Sequence, residues 1–158
     1  MTDAAANRRF GVLLNTPLGP LGADSTQAGI TALRWGAGGL TDGPMARTLT
    51  SELAEYFAGS TAGFTVPIVP TGRPFQRAFL QALMAIPYGE TRTYGDLARQ
   101  LGVSAQAVGQ ACGANPIPIV IPCHRVLGAS SLGGYSGPRG VEDKIALLKL
   151  EGAAGLLI

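Results

Sequence analysis

The sequence predicts an α/β protein in two parts. The first is a small N-terminal α/β domain with antiparallel strands, residues 1–70 including a linker. The second is a mainly helical C-terminal domain, residues 71–158, that contains a helix-turn-helix. Three observations predict this. The first third alternates short apolar runs with Pro- and Gly-rich turns. Later segments place apolar residues at helical spacing. Two of these are short, each starts at a capping hydroxyl, and a glycine lies between them.

Phe10–Asn15 and Ile30–Trp35 read as strands, divided by the turn region Pro17-Leu18-Gly19-Pro20-Leu21-Gly22. Gly36–Gly43 reads as a loop. Pro44–Phe57 spaces Leu49, Leu53, Tyr56 and Phe57 as a helix does, and Gly59 marks its end. Gly59–Pro74, rich in Gly, Thr and Pro, reads as the linker. Phe75–Ile86 puts Phe75, Phe79, Leu83 and Ile86 on one helical face before Pro87-Tyr88-Gly89 stops it. Thr93 can cap a helix that runs to Leu101, and Gly102 can close it. Ser104 can cap a second helix over 105–114.

Composition narrows the function classes. The chain has 158 residues, enough for one domain or two small ones. With 14% charged and 46% hydrophobic residues, disorder is excluded. No apolar run approaches membrane-span length, and MTDAAANRRF lacks the apolar core of a signal peptide, so no membrane association is expected. Two cysteines make no disulfide framework; a reactive thiol must stay reduced, which fits the cytoplasm. One histidine and no C-x-x-C pair suggest no metal, and the lack of G-x-G-x-x-G suggests no nucleotide-type cofactor. Residues 1–72 hold four Arg against five acids, whereas residues 73–158 hold eight basic against five acidic residues. The basic excess suits a polyanionic partner of the C-terminal part.

The chemistry concentrates in Asn115-Pro116-Ile117-Pro118-Ile119-Val120-Ile121-Pro122-Cys123-His124-Arg125-Val126. Three prolines bar a helix and push their predecessors toward extended geometry. The run from Ile117 to Ile121 is apolar enough to be buried. An extended buried segment would then deliver a thiol at Cys123, next to the only histidine of the chain. Two readings stand at this point: a core strand that happens to end in Cys-His, or a nucleophile at the floor of a pocket with a base nearby.

This stretch, with Tyr94, Gly133-Gly134-Tyr135-Ser136-Gly137 and the terminal Glu151-Gly152, resembles the active-site signature of the O6-alkylguanine-DNA alkyltransferases. The match is good over roughly residues 70–152 and loose before that. The resemblance implies a small α/β domain ahead of a catalytic domain with a winged helix-turn-helix. It implies direct-reversal repair. The damaged base is flipped out of the duplex, and its alkyl group moves irreversibly to Cys123, once per molecule. O6-alkylguanine is the expected substrate, with O4-alkylthymine a further candidate. No cofactor is implied. The expected partner is double-stranded DNA, bound in the minor groove without strong sequence preference by a monomer.

The resemblance also assigns roles. His124 would take the thiol proton through a water, and Glu151 would orient it. Asn115 would brace the helix-turn-helix against the active-site segment. Tyr94 would contact the flipped guanine near N3. Tyr135 and Ser136 would close the pocket, with the Ser136 N–H facing O6. Pro118 belongs to the pocket set, and the carbonyls of Cys123 and Val126 would accept from the guanine amino group. Ser104, Ala105, Gln106, Ala107 and Gly109 would approach DNA, together with Arg92. Cys112 reads as small helix packing.

The second helix of the pair is tiny-residued and uncharged from Ser104 to Ala114. That suits tight core packing. It equally suits close approach to the minor groove, only about 6 Å wide. One departure stands out: Gln106 occupies the place where relatives carry an Arg that fills the gap left by the flipped base. Gln has no charge and less planar surface, so weaker flipping or weaker duplex binding is expected. Two other classes are a lesion-binding protein without chemistry, which the presence of Cys123 disfavours, and a helix-turn-helix regulator, which leaves Tyr94 and Glu151 unexplained.

Overall fold

The computed structural model describes residues 14–36, 43–69 and 72–153. The chain divides into two compact units, Met1–Thr71 and Gly72–Ile158.

In the first unit three antiparallel strands lie in the order β1 (Leu14–Thr16), β2 (Gly19–Ser25), β3 (Ile30–Trp35). Leu14 pairs with Leu21 and Leu21 with Trp35, so β2 is central. The sequence marks its start as turn, and only part of that holds. The turn is confined to Thr16–Gly19, where Thr16 Oγ1 donates to the Gly19 carbonyl at 2.7 Å and Gly19 takes φ +115°. Pro20 stays in the sheet because it lies at the ladder's end, where its carbonyl still accepts from Gly36 N at 2.8 Å. Of the expected Phe10–Asn15 strand, residues 10–13 lie outside the described residues, as do 37–42 of the Gly36–Gly43 loop.

Helix α1 (Pro44–Phe57) starts on a proline, whose missing N–H would have no helical partner there anyway. It buries Ala46, Leu49, Leu53 and Tyr56, and the unit's core adds Leu21, Ala23, Ile30, Leu33 and Val66. The Gly59–Pro74 stretch is only partly a linker. Glu52 accepts from Thr65 N and Val66 N at 2.9–3.0 Å and from Thr65 Oγ1 at 2.7 Å. Ile30 then pairs in parallel with Ile68. Residues 64–69 therefore belong to this unit, fixed by a carboxylate that the linker reading did not foresee.

The second unit contains α2 (Pro74–Met84), β4 (Arg92–Thr93), α3 (Tyr94–Leu101), α4 (Ala105–Gly113), a 3-10 turn (Cys123–Arg125), β5 (Val126–Leu127) and α5 (Val141–Leu150). Thr93 and Asp96 form a reciprocal cap on α3: Thr93 Oγ1 accepts from Asp96 N at 3.0 Å, and Asp96 Oδ2 accepts from Thr93 N at 2.9 Å. Gly102, at φ +68°, ends that helix in the left-handed conformation glycine adopts without strain. Ser104 Oγ caps α4 by accepting from Ala107 N at 3.0 Å. The two helices pack on each other, forming the helix-turn-helix. β4 pairs in parallel with β5, Arg92 opposite Val126 and Thr93 opposite Leu127. That pairing brings Tyr94, the first residue of α3, beside the chain leaving Cys123. The core comprises Phe79, Leu80, Leu83, Leu97, Val108, Ile117, Ile121, Val126, Leu147 and Leu148. Each such Leu or Ile contributes about 1.5–3 kcal/mol by leaving water. Among the described residues no helix is long and apolar enough to cross a membrane.

Candidate active site

The segment before Cys123 is buried as expected, but it is not extended. Ile121 N donates to the Ile117 carbonyl at 2.9 Å, Val120 N to Pro118 O at 2.9 Å, and Cys123 N to Ile121 O at 2.8 Å. Ile119 is forced to φ +73°, an uncommon region for a β-branched side chain. The prolines exclude a helix, yet they do not exclude a tight reversal. Asn115 holds that reversal: its Nδ2 donates to Ile121 O at 2.8 Å and its Oδ1 accepts from Ile117 N at 3.0 Å. Pro118 lies buried inside the reversal.

Cys123 opens the 3-10 turn and is buried. Burial pushes its thiol pKa up, while a hydrogen bond from Asn115 and the charge of Lys144 pull it down. The upward effect wins, so the resting group is the thiol and needs a base. His124 follows, fully buried, with Nε2 at 2.7 Å from Glu151 Oε2. The same carboxylate accepts from Arg125 Nε at 2.8 Å and Nη2 at 3.0 Å. Arg125 Nη1 reaches Ile86 O at 2.7 Å, and its guanidinium lies 5.7 Å from the Tyr88 ring centre. Burial holds the imidazole below its ordinary 6.5 although Glu151 pulls it up, and the charges of Arg125 and Lys144 add to the downward shift, hence it is neutral at pH 7. A carboxylate only accepts, so Nε2 carries the proton and Nδ1 is the basic atom. Nδ1 has no protein partner among the described residues, and no direct hydrogen bond joins it to Cys123 there.

A cavity of about 410 Å³ opens at the sulfur, lined by Tyr94, Gly109, Cys112, Gly113, Cys123, Gly134, Tyr135 and Ser136. Burial raises the Tyr94 and Tyr135 phenols above their ordinary 10.0, so both remain donors at neutral pH. Cys112 is not merely helix packing, because it lines this cavity. Burial pushes its thiol up to about 12, which makes it a poor nucleophile. Val126 lies outside the cavity lining, and its carbonyl accepts from Lys144 Nζ at 2.5 Å. The Cys123 carbonyl accepts from Val126 N. Each oxygen retains a second lone pair.

On α4, Val108 and Ala111 face the core, while Gln106, Gly109, Gln110 and Gly113 form an exposed stripe at helical spacing. A Cβ on Gly109 or Gly113 would meet nothing within 4 Å. Those two glycines belong both to the stripe and to the cavity wall, so the cavity opens on the small-residue face. Ala105 is exposed there and Ala107 half-exposed. Arg92 donates to Thr91 O at 2.9 Å and pairs with Glu90 at 3.2 Å. Among the described residues no group of three or more His, Cys, Asp or Glu could hold a metal ion.

The sequence pattern of the family described as "6-O-methylguanine DNA methyltransferase, DNA binding domain" matches residues 74–153, half of the chain. The chain belongs to the O6-methylguanine-DNA methyltransferase family. Two methyltransferases of that family bear this out. A methylated-DNA–protein-cysteine methyltransferase of Methanosarcina acetivorans is 47% identical over 110 residues, 68% of this chain and 69% of that protein. One from Mycolicibacterium paratuberculosis is 49% identical over 117 residues, 72% and 70% of the two chains. The fold is also that of a solved family member. The crystal structure of Mycobacterium tuberculosis OGT in complex with DNA superposes with a TM-score of 0.80 at 41% identity, covering 89% of this chain and 91% of that one.

The reading of the residues missed Lys144. It is fully buried and donates to Val126 O and, at 3.2 Å, to Gly134 O. A signal for it exists. Lys144, Leu147, Leu148 and Glu151 stand at i, i+3, i+4 and i+7, so one charged residue falls on the apolar stripe of α5 and another continues it at the residue that caps the helix.

Proposed function

We propose that this protein repairs O6-alkylguanine in double-stranded DNA by a single irreversible transfer of the alkyl group to Cys123, as a monomer in the cytoplasm. The observation that carries the reading is one cavity holding the Cys123 thiol at its floor, backed by the His124–Glu151 pair and open on the small-residue face of α4. The α4 stripe approaches the minor groove, and the damaged base swings past Gly109 and Gly113 into the cavity, at a cost of a few kcal/mol. Through a bridging water, His124 Nδ1 takes the thiol proton. The sulfur attacks the alkyl carbon, and the carbon–O6 bond breaks with its electron pair on the guanine. Tyr94 donates toward N3 and the Ser136 N–H toward O6, offsetting the charge that develops there. The product is a thioether, and no step regenerates the thiol.

The test is mass spectrometry after incubation with a duplex carrying O6-methylguanine. The Cys123 peptide is expected to gain about 14 Da, at most one equivalent per chain, with none in Cys123→Ala. Tight binding of the lesion without mass gain would replace this reading with that of a lesion-binding protein.

Gln106 fills the opening position of the stripe with an uncharged side chain. Gln106→Arg adds a planar cation that can stack in the vacated duplex position. Transfer from duplex DNA is expected to speed up several-fold, while reaction with the free alkylated base stays level. An unchanged or slower duplex rate removes Gln106 from the flipping step.

A further inference from the structure

The segment that carries Tyr135 and Ser136 into the cavity wall is fixed at its far end by a pair that the transfer scheme leaves unused. After Ser136 the chain turns through 137–140 into α5. That turn closes by itself, with Gly140 N donating to Gly137 O at 3.0 Å. Asp143 adds a second tie. It is fully buried in the first turn of α5, and its carboxylate accepts from Arg139 N at 2.9 Å and from Arg139 Nε at 3.0 Å. The turn is thereby fastened to the helix.

The fastening reaches the cavity wall. A Cβ on Gly137 would come within 2.6 Å of Asp143 Oδ2 and 3.0 Å of Tyr135 Cε2, so the carboxylate and the Tyr135 ring press on one backbone point. At the near end of the segment, a Cβ on Gly133 would meet the Tyr94 hydroxyl at 2.5 Å. Between the two ends, Gly134 O accepts from Lys144 Nζ at 3.2 Å. At the far end the two partners differ. The carboxylate has no exposure, whereas the Arg139 side chain is 55% exposed. Asp143 is therefore the fixed half, and Arg139 is the half that can let go. An exposed ion pair of this spacing would hold little, but here one partner lies away from water and depends on its donors.

We infer that Arg139 and Asp143 are positioning residues that form a latch on the Tyr135–Ser136 segment and so limit the size of the alkyl group that reaches Cys123. This rests on the proposed role of Cys123 as acceptor. A closed latch holds the Tyr135 ring and the Ser136 backbone at the cavity, which suits a small alkyl carbon aligned for attack. An open latch lets the segment move outward, widening the cavity and loosening that alignment. Small groups then lose rate while bulky groups gain access.

Two ratios measured on Arg139→Met and Asp143→Asn test this. The first is Cys123 alkylation by N-benzylmaleimide relative to iodoacetamide, read on the Cys123 peptide without DNA. The second is transfer from free O6-benzylguanine relative to transfer from a duplex carrying O6-methylguanine. Both ratios are expected to rise about fivefold or more, with methyl transfer itself slowing about tenfold. A pair that only stabilises the fold would lower Tm and change both members of each ratio in equal proportion. Either ratio staying within about twofold of the parent in folded Arg139→Met overturns the inference. That side chain is exposed, so the variant remains decisive even where Asp143→Asn fails to fold. If the parent protein takes no alkyl group from DNA, the proposed function fails. The thiol-reagent ratio then still decides whether the latch sets access to the sulfur.

Discussion

Replacing Glu151 with Gln is expected to lower the alkyl-transfer rate by about 10²- to 10⁴-fold, by analogy with other oriented imidazole bases that lose their carboxylate. The carboxylate fixes the tautomer of His124, because an ionised carboxylate accepts and never donates. An amide breaks that rule. It can turn its NH2 toward Nε2, and the imidazole proton then moves to Nδ1, the atom proposed to receive the thiol proton. The base is lost with little change in shape. Glu151 also pairs with Arg125 through two hydrogen bonds in an almost water-free site. Removing one partner of a buried ion pair costs about 3–5 kcal/mol, so a lower Tm accompanies the kinetic loss. The two effects separate in the double variant Glu151→Gln with Arg125→Met. It removes the orphaned guanidinium and is expected to recover Tm while leaving transfer slow. Full recovery of transfer would show that Glu151 only stabilises the fold.

Much of this site was legible because local rules and tertiary demands agree. The capping hydroxyls of Thr93 and Ser104 and the left-handed Gly102 fix α3 and α4 from within a few residues. Ile30–Trp35 and Pro44–Phe57 appear with their expected bounds, and in the helix Ala46, Leu49, Leu53 and Tyr56 are buried at helical spacing. The failures share a different cause. At 117–121, β-branched residues and prolines favour extended chain locally, yet a single side chain from outside the run, Asn115, closes it into a reversal. At Gly19–Ser25 the Pro and Gly look like turn, and only the neighbouring strands on both sides make it a strand. Lys144 was overlooked because lysine is a surface residue by default. Its burial is repaid by carbonyls from segments 10 and 18 residues away, which no local window contains. Cys123 and His124 stood out from their residue types and spacing as a candidate pair, and family resemblance added Glu151. The structure adds the state of the imidazole: burial holds its pKa down against the upward pull of Glu151, and the charge of Arg125 adds to the downward shift, so His124 is neutral at pH 7.

Asn115 is where fold and chemistry meet, and Asn115→Ala is expected to damage both. Its amide satisfies Ile117 N, on a fully buried residue, and Ile121 O, also buried. Truncation leaves Ile117 N unpaired away from water, at about 1–3 kcal/mol, and leaves Ile121 O with only its bond from Cys123 N. The reversal between them holds Ile119 in a left-handed conformation that itself costs about 1–3 kcal/mol and persists only while its surroundings enforce it. Without the amide, that strain is free to relax, and Cys123, two residues beyond Ile121, moves with it. The thiol also loses the hydrogen bond that draws its pKa down. Chevron or thermal measurements are expected to show a loss of about 2–5 kcal/mol, and the alkylation midpoint of Cys123 to move to higher pH. Asn115→Asp divides the two roles. Its carboxylate still accepts from Ile117 N, so it recovers part of the stability. It cannot donate to Ile121 O, and it adds a negative charge beside the sulfur, so the thiol pKa rises further. The Asp variant is therefore expected to be the more stable and the slower of the two. If it proves faster than Asn115→Ala, the amide acts on the turn alone and not on the thiol.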